Sequence, residues 1–388
     1  MRKICFFTGT RAEYGIMSRL FKRVMDDDQL QLQIIATNMH LSPEFGLTYK
    51  EIEADGFHID KKVEMLLSSD TANGTVKSMG LACIGFADAL EELRPDLAVI
   101  LGDRYEMLAA AESCLIYHIP VAHLHGGELT EGAYDDAIRH CITKLSHLHF
   151  TSTEEYRQRV IQMGEQPDHV FWVGSLGVDN ILHEPMMPLE ELEKSLSFQL
   201  GKNYLLITFH PVTMEGASAI DQCKNLLNAL ETFKGQYQLL FTMPNSDTDG
   251  RAIANEIENF VTNNPECAKS VQSLGKRRYY SAMRYASAVV GNSSSGLIEA
   301  PSFHVPTLNI GKRQDGRCRG ESVIDVDSSF GAIKEGLSSV LSDAFRDKVK
   351  SASNPYQRKD TLACIFNIIK SYPLDGLVKK SFYDIKIK

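Results

Sequence analysis

Residues 96–127 read DLAVILGDRYEMLAAAESCLIYHIPVAHLHGG, and their pattern decides the fold. Leu97–Leu101 is apolar without a break and of strand length, which suits a strand buried on both faces. Tyr105–Tyr117 then repeats apolar side chains at helical spacing, and PVAHL returns to strand character. A strand, a helical crossover and a second strand make the unit of a parallel sheet. Asp103 and Arg104 stand at the C-terminal end of the first strand, where doubly wound sheets gather ligands.

Working outward, the same alternation continues in both directions. Upstream lie KICFFTG (residues 3–9), a helical stretch Ala12–Met25, LQIIAT (32–37) and a long helical segment Thr71–Leu93. Downstream, Gly174–Leu200 is mixed, with Pro185, Pro188 and a charged run Glu190–Lys194, and reads as a connection between domains. NYLLITFHP (203–211) restarts the series. It is followed by Ser218–Phe233, QLLFTMP (238–244), Arg251–Val261, Tyr279–Ala286, SAVVGNSSSG (287–296), VPTLNIG (305–311) and SVIDVD (322–327). Lys359–Tyr372 is a last helical segment with no strand after it, able to pack on either domain.

The chain of 388 residues is long enough for two domains of ordinary size. The expected division is 1–173 for a first Rossmann-like domain, 174–355 for a second, and 356–388 for a C-terminal helix. Two such domains facing a cleft would suit a ligand with a nucleotide end and a reacting end. A net charge of -9 supplies no basic surface for a nucleic-acid backbone. The opening apolar run is broken by Thr8, Gly9 and Arg11 before it could act as a signal peptide, and no stretch reaches the length of a membrane span. The eight cysteines are scattered and never form C-x-x-C, so reduced, largely buried thiols and a cytoplasmic location are expected.

Six stretches carry side chains that packing explains poorly. In TGTRAEYG (8–15), Gly9 permits a tight turn and Arg11 opens a helix, a combination suited to a phosphate although neither a Walker loop nor a dinucleotide fingerprint is present. A plain cap or ion pair is the alternative for Arg11, as it is for Asp103 and Arg104 after their apolar strand. VAHLHGGELTEGAYDDAIRH (121–140) gathers His123, His125, Glu128, Asp135, Asp136, Arg139 and His140. Crowded carboxylates and imidazoles shift one another's pKa toward neutrality, which favours acid/base chemistry, with helix capping and core hydrogen bonds as the alternative. The spacing matches no standard zinc pattern, so no metal and no cofactor are expected. His210 leaves the first strand of the second series. Opposite it in sequence order, NSSSGLIE (292–299) joins a serine-rich loop to a helix bearing Glu299, suited to a diphosphate and two ribose hydroxyls, with a simple serine N-cap as the alternative. GKRQDGRCRG (311–320) sets four basic side chains, Arg313 among them, on a glycine-bounded loop.

In this order, FTGTRAEYG, LGDRYE, HLHGGE with DDAIRH, FHPVT, GNSSSGLIE and NIGKRQDGR resemble the hydrolysing UDP-N-acetylglucosamine 2-epimerases over nearly the whole chain, and most of all the bacterial sialic acid branch. The resemblance implies a glycosyltransferase-B fold whose last helix crosses back to the first domain, and a homodimer or homotetramer. It implies UDP in the second domain, with Ser293 and Ser294 on the diphosphate, Glu299 on the ribose, and Asn245 and the backbone near Tyr279 around the uridine. Arg11, Arg104, His210 and Arg313 would complete the phosphate contacts. Asp103, Glu128 and Asp135 become the acid/base candidates, with His210 helping the phosphate leave. One departure stands out: some relatives carry a catalytic glutamate where this chain has His125, so the proton shuttle is Glu128, His125 or both. The implied reaction eliminates UDP from UDP-N-acetylglucosamine, hydrates the 2-acetamidoglucal and releases N-acetylmannosamine. The same reaction on a UDP-2,4-diacetamido-trideoxyhexose, or a glycosyltransferase on the same fold, remains an alternative.

Overall fold

Alternate residues of the first strand enter different cores. Ile4 and Phe6 join one apolar cluster with Ile34, Val99 and Leu124, whereas Cys5 and Phe7 join another with Ile35, Ile100 and Val121. A period of two with both faces apolar is how a central parallel strand is covered by helices on each side. Phe6 and Phe7 are wholly inaccessible, and burying each contributes on the order of 2–3 kcal/mol.

The computed structural model describes residues 1–67, 69, 71–130, 134–211, 219–243, 250–272 and 274–385. It contains two sheets. The first is seven-stranded: β1 (Arg2–Thr8), β2 (Leu30–Thr37), β3 (Lys61–Val63), β4 (Leu97–Leu101), β5 (Val121–Leu124), β6 (Leu148–Thr151) and β7 (Val170–Trp172), in the order β3-β2-β1-β4-β5-β6-β7. The second holds β8 (Tyr204–Thr208), β9 (Gln238–Thr242), β10 (Ala268–Val271), β11 (Ala288–Gly291), β12 (Thr307–Ile310) and β13 (Val323–Val326), in the order β10-β9-β8-β11-β12-β13. Every pairing between these strands is parallel. Each sheet is doubly wound and Rossmann-like, as the alternation predicts. Each has a topological switch point, between β1 and β4 in the first and between β8 and β11 in the second.

The chain divides into two compact units, Met1–Leu129 with Ala133–Asn180 and Arg358–Lys388, and Ile181–Gln357. The first boundary thus falls after Asn180 rather than after residue 173, and side chains explain it. Asp179 pairs with Arg19 at 2.7 Å, and the Asn180 amide donates to the carbonyls of Gly15 and Ile16. The last helix, Thr361–Ser371, lies on the helix Arg11–Met25 of the first unit. Ile365, Phe366 and Ile369 enter the Ile4–Phe6 core, and Lys370 reaches Asp27 at 2.6 Å.

Helix Arg11–Met25 starts with a capping box. Thr10 accepts from the Glu13 N–H at 3.3 Å, and the Glu13 carboxylate accepts from Gly9 and Thr10 at 2.7 and 3.1 Å. Gly9 is required for room rather than for the tight turn expected of it: a Cβ there would lie 2.4 Å from Glu106 Oε1. All eight cysteines are free; Cys141 and Cys364 are exposed, contrary to the expectation of general burial for those two. Among the described residues, no helix is long and apolar enough to cross a membrane.

Candidate active site

In the first unit the candidate residues gather where β4, β5 and β6 end. His125 carries the ladder one residue beyond β5, its N–H donating to the Phe150 carbonyl at 2.9 Å. Its φ of +66° is left-handed, a conformation costing a non-glycine residue about 1–2 kcal/mol. The turn sets His125 Nδ1 3.1 Å from Glu128 Oε1. Ser152 Oγ, just past β6, donates to the same oxygen at 2.7 Å. Glu128 is buried, and His125 Nε2 is buried with no hydrogen-bond partner. A carboxylate that accepts from a serine and lies against an imidazole with one unanswered nitrogen is equipped to move a proton.

His123, on the same strand, does something else. Its Nε2 meets the Gly102 carbonyl at 2.8 Å and its Nδ1 lies 3.2 Å from Thr143 Oγ1. Burial pulls its pKa down to about 3, so it is a neutral core histidine.

Asp103, at the end of β4, forms an ion pair with Arg139. That guanidinium, 3% exposed, also donates to the Glu128 carbonyl at 2.8 Å and lies 3.5 Å from Asp136 Oδ1. Arg139 thereby ties the ends of β4 and β5 to helix Tyr134–Leu145. Asp135 lies in the first turn of that helix, and burial and then the charge of Asp103 raise its pKa. One carboxylate paired with arginine and a second pushed toward its acid form is the division that separate acid and base roles need.

Arg104, read from the sequence as either a phosphate contact or a plain ion pair, meets carboxylates. Glu106, with no exposure at all, lies 2.6 Å from its Nε, and Glu13 lies 3.9 Å away. Burial and then the neighbouring Glu106 raise the Glu13 pKa. The Glu106 carboxylate therefore already answers the Arg104 charge, and a phosphate would have to share it. Arg11 is exposed on the first turn of its helix.

In the second unit, His210 follows β8 and Asn292 follows β11. The Asn292 side-chain amide accepts from the His210 N–H at 2.7 Å and donates to its carbonyl at 2.8 Å, copying a strand pairing beyond the point where the sheet ends. The Asn292 carbonyl accepts from Arg313 and from Gln314 at 3.1 and 2.9 Å. Gly291 makes this approach possible: its φ is +134°, and a Cβ would lie 1.9 Å from the Thr208 carbonyl oxygen. Ser293 Oγ accepts from the Ser295 N–H at 3.4 Å, and Ser294 precedes the short helix Ser295–Ile298. The side chain of Tyr279 hydrogen-bonds with Thr208, Ser293 and Ser295, and burial, then Glu299, raises its pKa to about 12. Burial raises the Glu299 pKa, and its Oε2 is buried without a partner. A buried orphan acceptor beside a serine loop suits a ligand bearing hydroxyls. Asn245 lies outside the described residues.

Sequence reading alone missed Ser152, Glu106 and Asn292 as site-building residues, and it left Arg139 without a role. Ser152 sits in an ordinary T-S-T stretch, and Glu106 reads as one more helix residue. Asn292 was visible only as part of a small-residue loop. Among the described residues, no group of three His, Cys, Asp or Glu side chains is arranged to hold a metal ion.

Comparison with known proteins bears on all of this. A chain from Campylobacter jejuni subsp. jejuni serotype O:2, named GDP/UDP-N,N'-diacetylbacillosamine 2-epimerase (hydrolyzing), is 44% identical and is matched over 99% of each chain. Polysialic acid biosynthesis protein P7 from Escherichia coli is 39% identical over 99% of this chain and 98% of its own. The fold resembles an S. aureus MnaA–UDP co-structure with a TM-score of 0.76 at 15% identity, covering 99% of this chain and 100% of that one, a likeness that speaks to fold alone. Residues 22–370 match the family described as UDP-N-acetylglucosamine 2-epimerase, and with these full-length relatives the chain belongs to that family.

Proposed function

We propose that this protein is a hydrolysing 2-epimerase of a nucleotide-activated 2,4-diacetamido-trideoxyhexose, with UDP as the activating group. The observation that carries the reading is the Glu128–His125–Ser152 contact beside the Asp103–Arg139 pair and Asp135, in a chain 44% identical throughout to a hydrolysing diacetylbacillosamine 2-epimerase. The 4-acetamido substrate replaces the N-acetylglucosamine expected from motif resemblance because that relative is named for it. The family's own description, UDP-N-acetylglucosamine 2-epimerase, favours UDP-N-acetylglucosamine, with N-acetylmannosamine as product, as the second reading.

In the proposed reaction a base takes the carbon 2 proton while the carbon 1–oxygen bond to UDP breaks, leaving a glycal. Water then adds to carbon 1, and a proton enters carbon 2 from the opposite face. Glu128, with His125, serves one face, and Asp135 with Asp103 serves the other. The second unit holds UDP through Ser293, Ser294 and Glu299, while His210 and Arg313, joined through Asn292, neutralise the departing diphosphate. The test is incubation with UDP-diacetylbacillosamine, its GDP counterpart and UDP-N-acetylglucosamine, following nucleotide release. Turnover of only the N-acetylglucosamine compound overturns the substrate assignment in favour of the second reading.

A further inference from the structure

The helix that carries Asp135 and Arg139 is held at its far end by a strap from the C-terminal tail. Helix Tyr134–Leu145 ends against Lys380, whose ammonium donates to the carbonyls of Ser146, Lys144 and Thr143 at 2.6, 2.7 and 3.4 Å. A cation is favoured there because the last carbonyls of a helix carry the negative end of its dipole and lack partners within the helix. The same ammonium lies 2.7 Å from Glu165, a carboxylate only 1% exposed. Lys144 at 2.5 Å and His149 at 2.9 Å complete the partners of that carboxylate. Burial works against the Glu165 charge, but His149, Lys144 and Lys380 outweigh it and hold the carboxyl at about 2.

The tail around Lys380 has no regular secondary structure, so its position depends on these contacts. Phe382 occupies the space a side chain at residue 164 would need, and Gly164 accepts from the Tyr383 N–H at 2.8 Å. Gln166 donates to Ser381 Oγ at 3.0 Å, and Tyr383 packs on Val160, Ile161 and Val170. In the middle of the helix, Arg139 meets Asp103 and the Glu128 carbonyl, and in its last turn the Thr143 hydroxyl meets His123. A rigid helix fixed at its C-terminus delivers its first turns to a set position.

We propose that Lys380 is a positioning residue for the reaction: through the C-terminal carbonyls of helix Tyr134–Leu145 it sets where Asp135 and Arg139 stand relative to Asp103 and Glu128. The effect on turnover rests on the 2-epimerase reading; the effect on the helix does not. The experiment compares Lys380→Met, Lys380→Arg and Phe382→Ala in the full chain. Three readouts are followed: kcat with the substrate that the wild type turns over, the Kd for UDP, and amide hydrogen exchange across residues 134–145. Lys380→Met should lower kcat at least tenfold, a barrier increase of about 1.4 kcal/mol, leave the UDP Kd within twofold, and speed exchange in this helix at least tenfold. Phe382→Ala should act in the same direction more weakly, and Lys380→Arg should restore most of kcat.

Unchanged exchange in residues 134–145 in both Lys380→Met and Phe382→Ala overturns the proposal. So does kcat within twofold of wild type while exchange rises. If Lys380→Met fails to fold, Phe382→Ala decides by the same criteria. A wild type that turns over none of the nucleotide sugars overturns the 2-epimerase reading instead, and exchange then tests the strap alone.

Discussion

Replacing Arg139 by Met probes the join between the two halves of the proposed acid/base group. The guanidinium is 3% exposed, pairs with Asp103, lies 3.5 Å from Asp136 and donates to the Glu128 carbonyl at 2.8 Å. Methionine fills most of the volume of the stem and supplies no donor. Breaking a fully buried ion pair by removing one partner costs about 3–5 kcal/mol. Asp103 and Asp136 are 28% and 27% exposed, so water takes over part of the solvation, and a loss of roughly 2–4 kcal/mol is expected once that discount is applied. In a unit of this size the melting temperature should fall by roughly 5–15 °C.

The kinetic consequence is separate from the stability loss. Without Arg139, Asp103 and Asp135 share a site with less positive charge, and Asp135, already raised by burial and Asp103, should rise further. The acid limb of the kcat/KM profile should therefore move to higher pH. Urea unfolding and a pH–rate profile measure the two effects. The double variant Asp103→Asn with Arg139→Met should recover at least 1 kcal/mol of the lost stability, because the unpaired charge is gone, and should recover no activity. Stability within 0.5 kcal/mol of wild type together with an unmoved acid limb refutes this reasoning; the threshold is the scatter expected of an innocuous surface change, about 0.5 kcal/mol.

Other expectations follow from the same geometry. Gly291→Ala places a methyl against the Thr208 carbonyl at a backbone angle that alanine rarely adopts; a loss of at least about 2 kcal/mol of stability and weakened UDP binding by calorimetry are expected, and an alanine variant with wild-type UDP affinity contradicts it. Glu128→Gln keeps an acceptor for Ser152 and His125 but removes the charge, so kcat should fall at least a hundredfold, on the scale of about 10²–10⁴ for general acid–base catalysis, with UDP affinity unchanged; persistent turnover assigns the proton to His125. Burial lowers His123 to about 3 and His40 and His147 to about 4. Below the unfolded value of about 6.5 the unfolded chain takes up protons that these rings refuse, so stability falls as pH drops from 6.5 toward 4. Glu13, raised by burial and Glu106, opposes this, since its contribution is present at low pH and lost as pH rises. Together these four groups should give a slope near pH 5 of roughly 3 kcal/mol per pH unit; urea midpoints that stay level between pH 5 and 6.5 exclude it.

The central strands were legible because β1, β4, β5, β8, β9, β11 and β12 are short runs of apolar side chains bounded by glycine or by chemistry-bearing residues. The strands β3, β6, β7 and β10 carry no such signal. Lys61–Val63 is charged, Ala268–Val271 is half polar, and both are edge strands, while Leu148–Thr151 hides a histidine that Glu165 satisfies. Their pairing comes from tertiary context, which overrides local pattern. The candidate site was legible where titratable residues follow an apolar strand, as at Asp103, His125, Glu128 and His210. It was not legible where a side chain acts at a distance in sequence. Ser152 reaches back to Glu128, Arg139 to Asp103, and Asn292 to His210. Lys380, most distant of all, meets residues 143–146 through a tail with no periodicity.

The most direct measurement is proton NMR of the protein incubated with UDP-diacetylbacillosamine in deuterated water. A hydrolysing 2-epimerase releases UDP and a free 2,4-diacetamido sugar inverted at carbon 2, with one deuterium at that carbon. Release of UDP with the carbon 2 proton retained, or return of an intact epimeric nucleotide sugar, contradicts the elimination and hydration proposed for Glu128, His125 and Asp135.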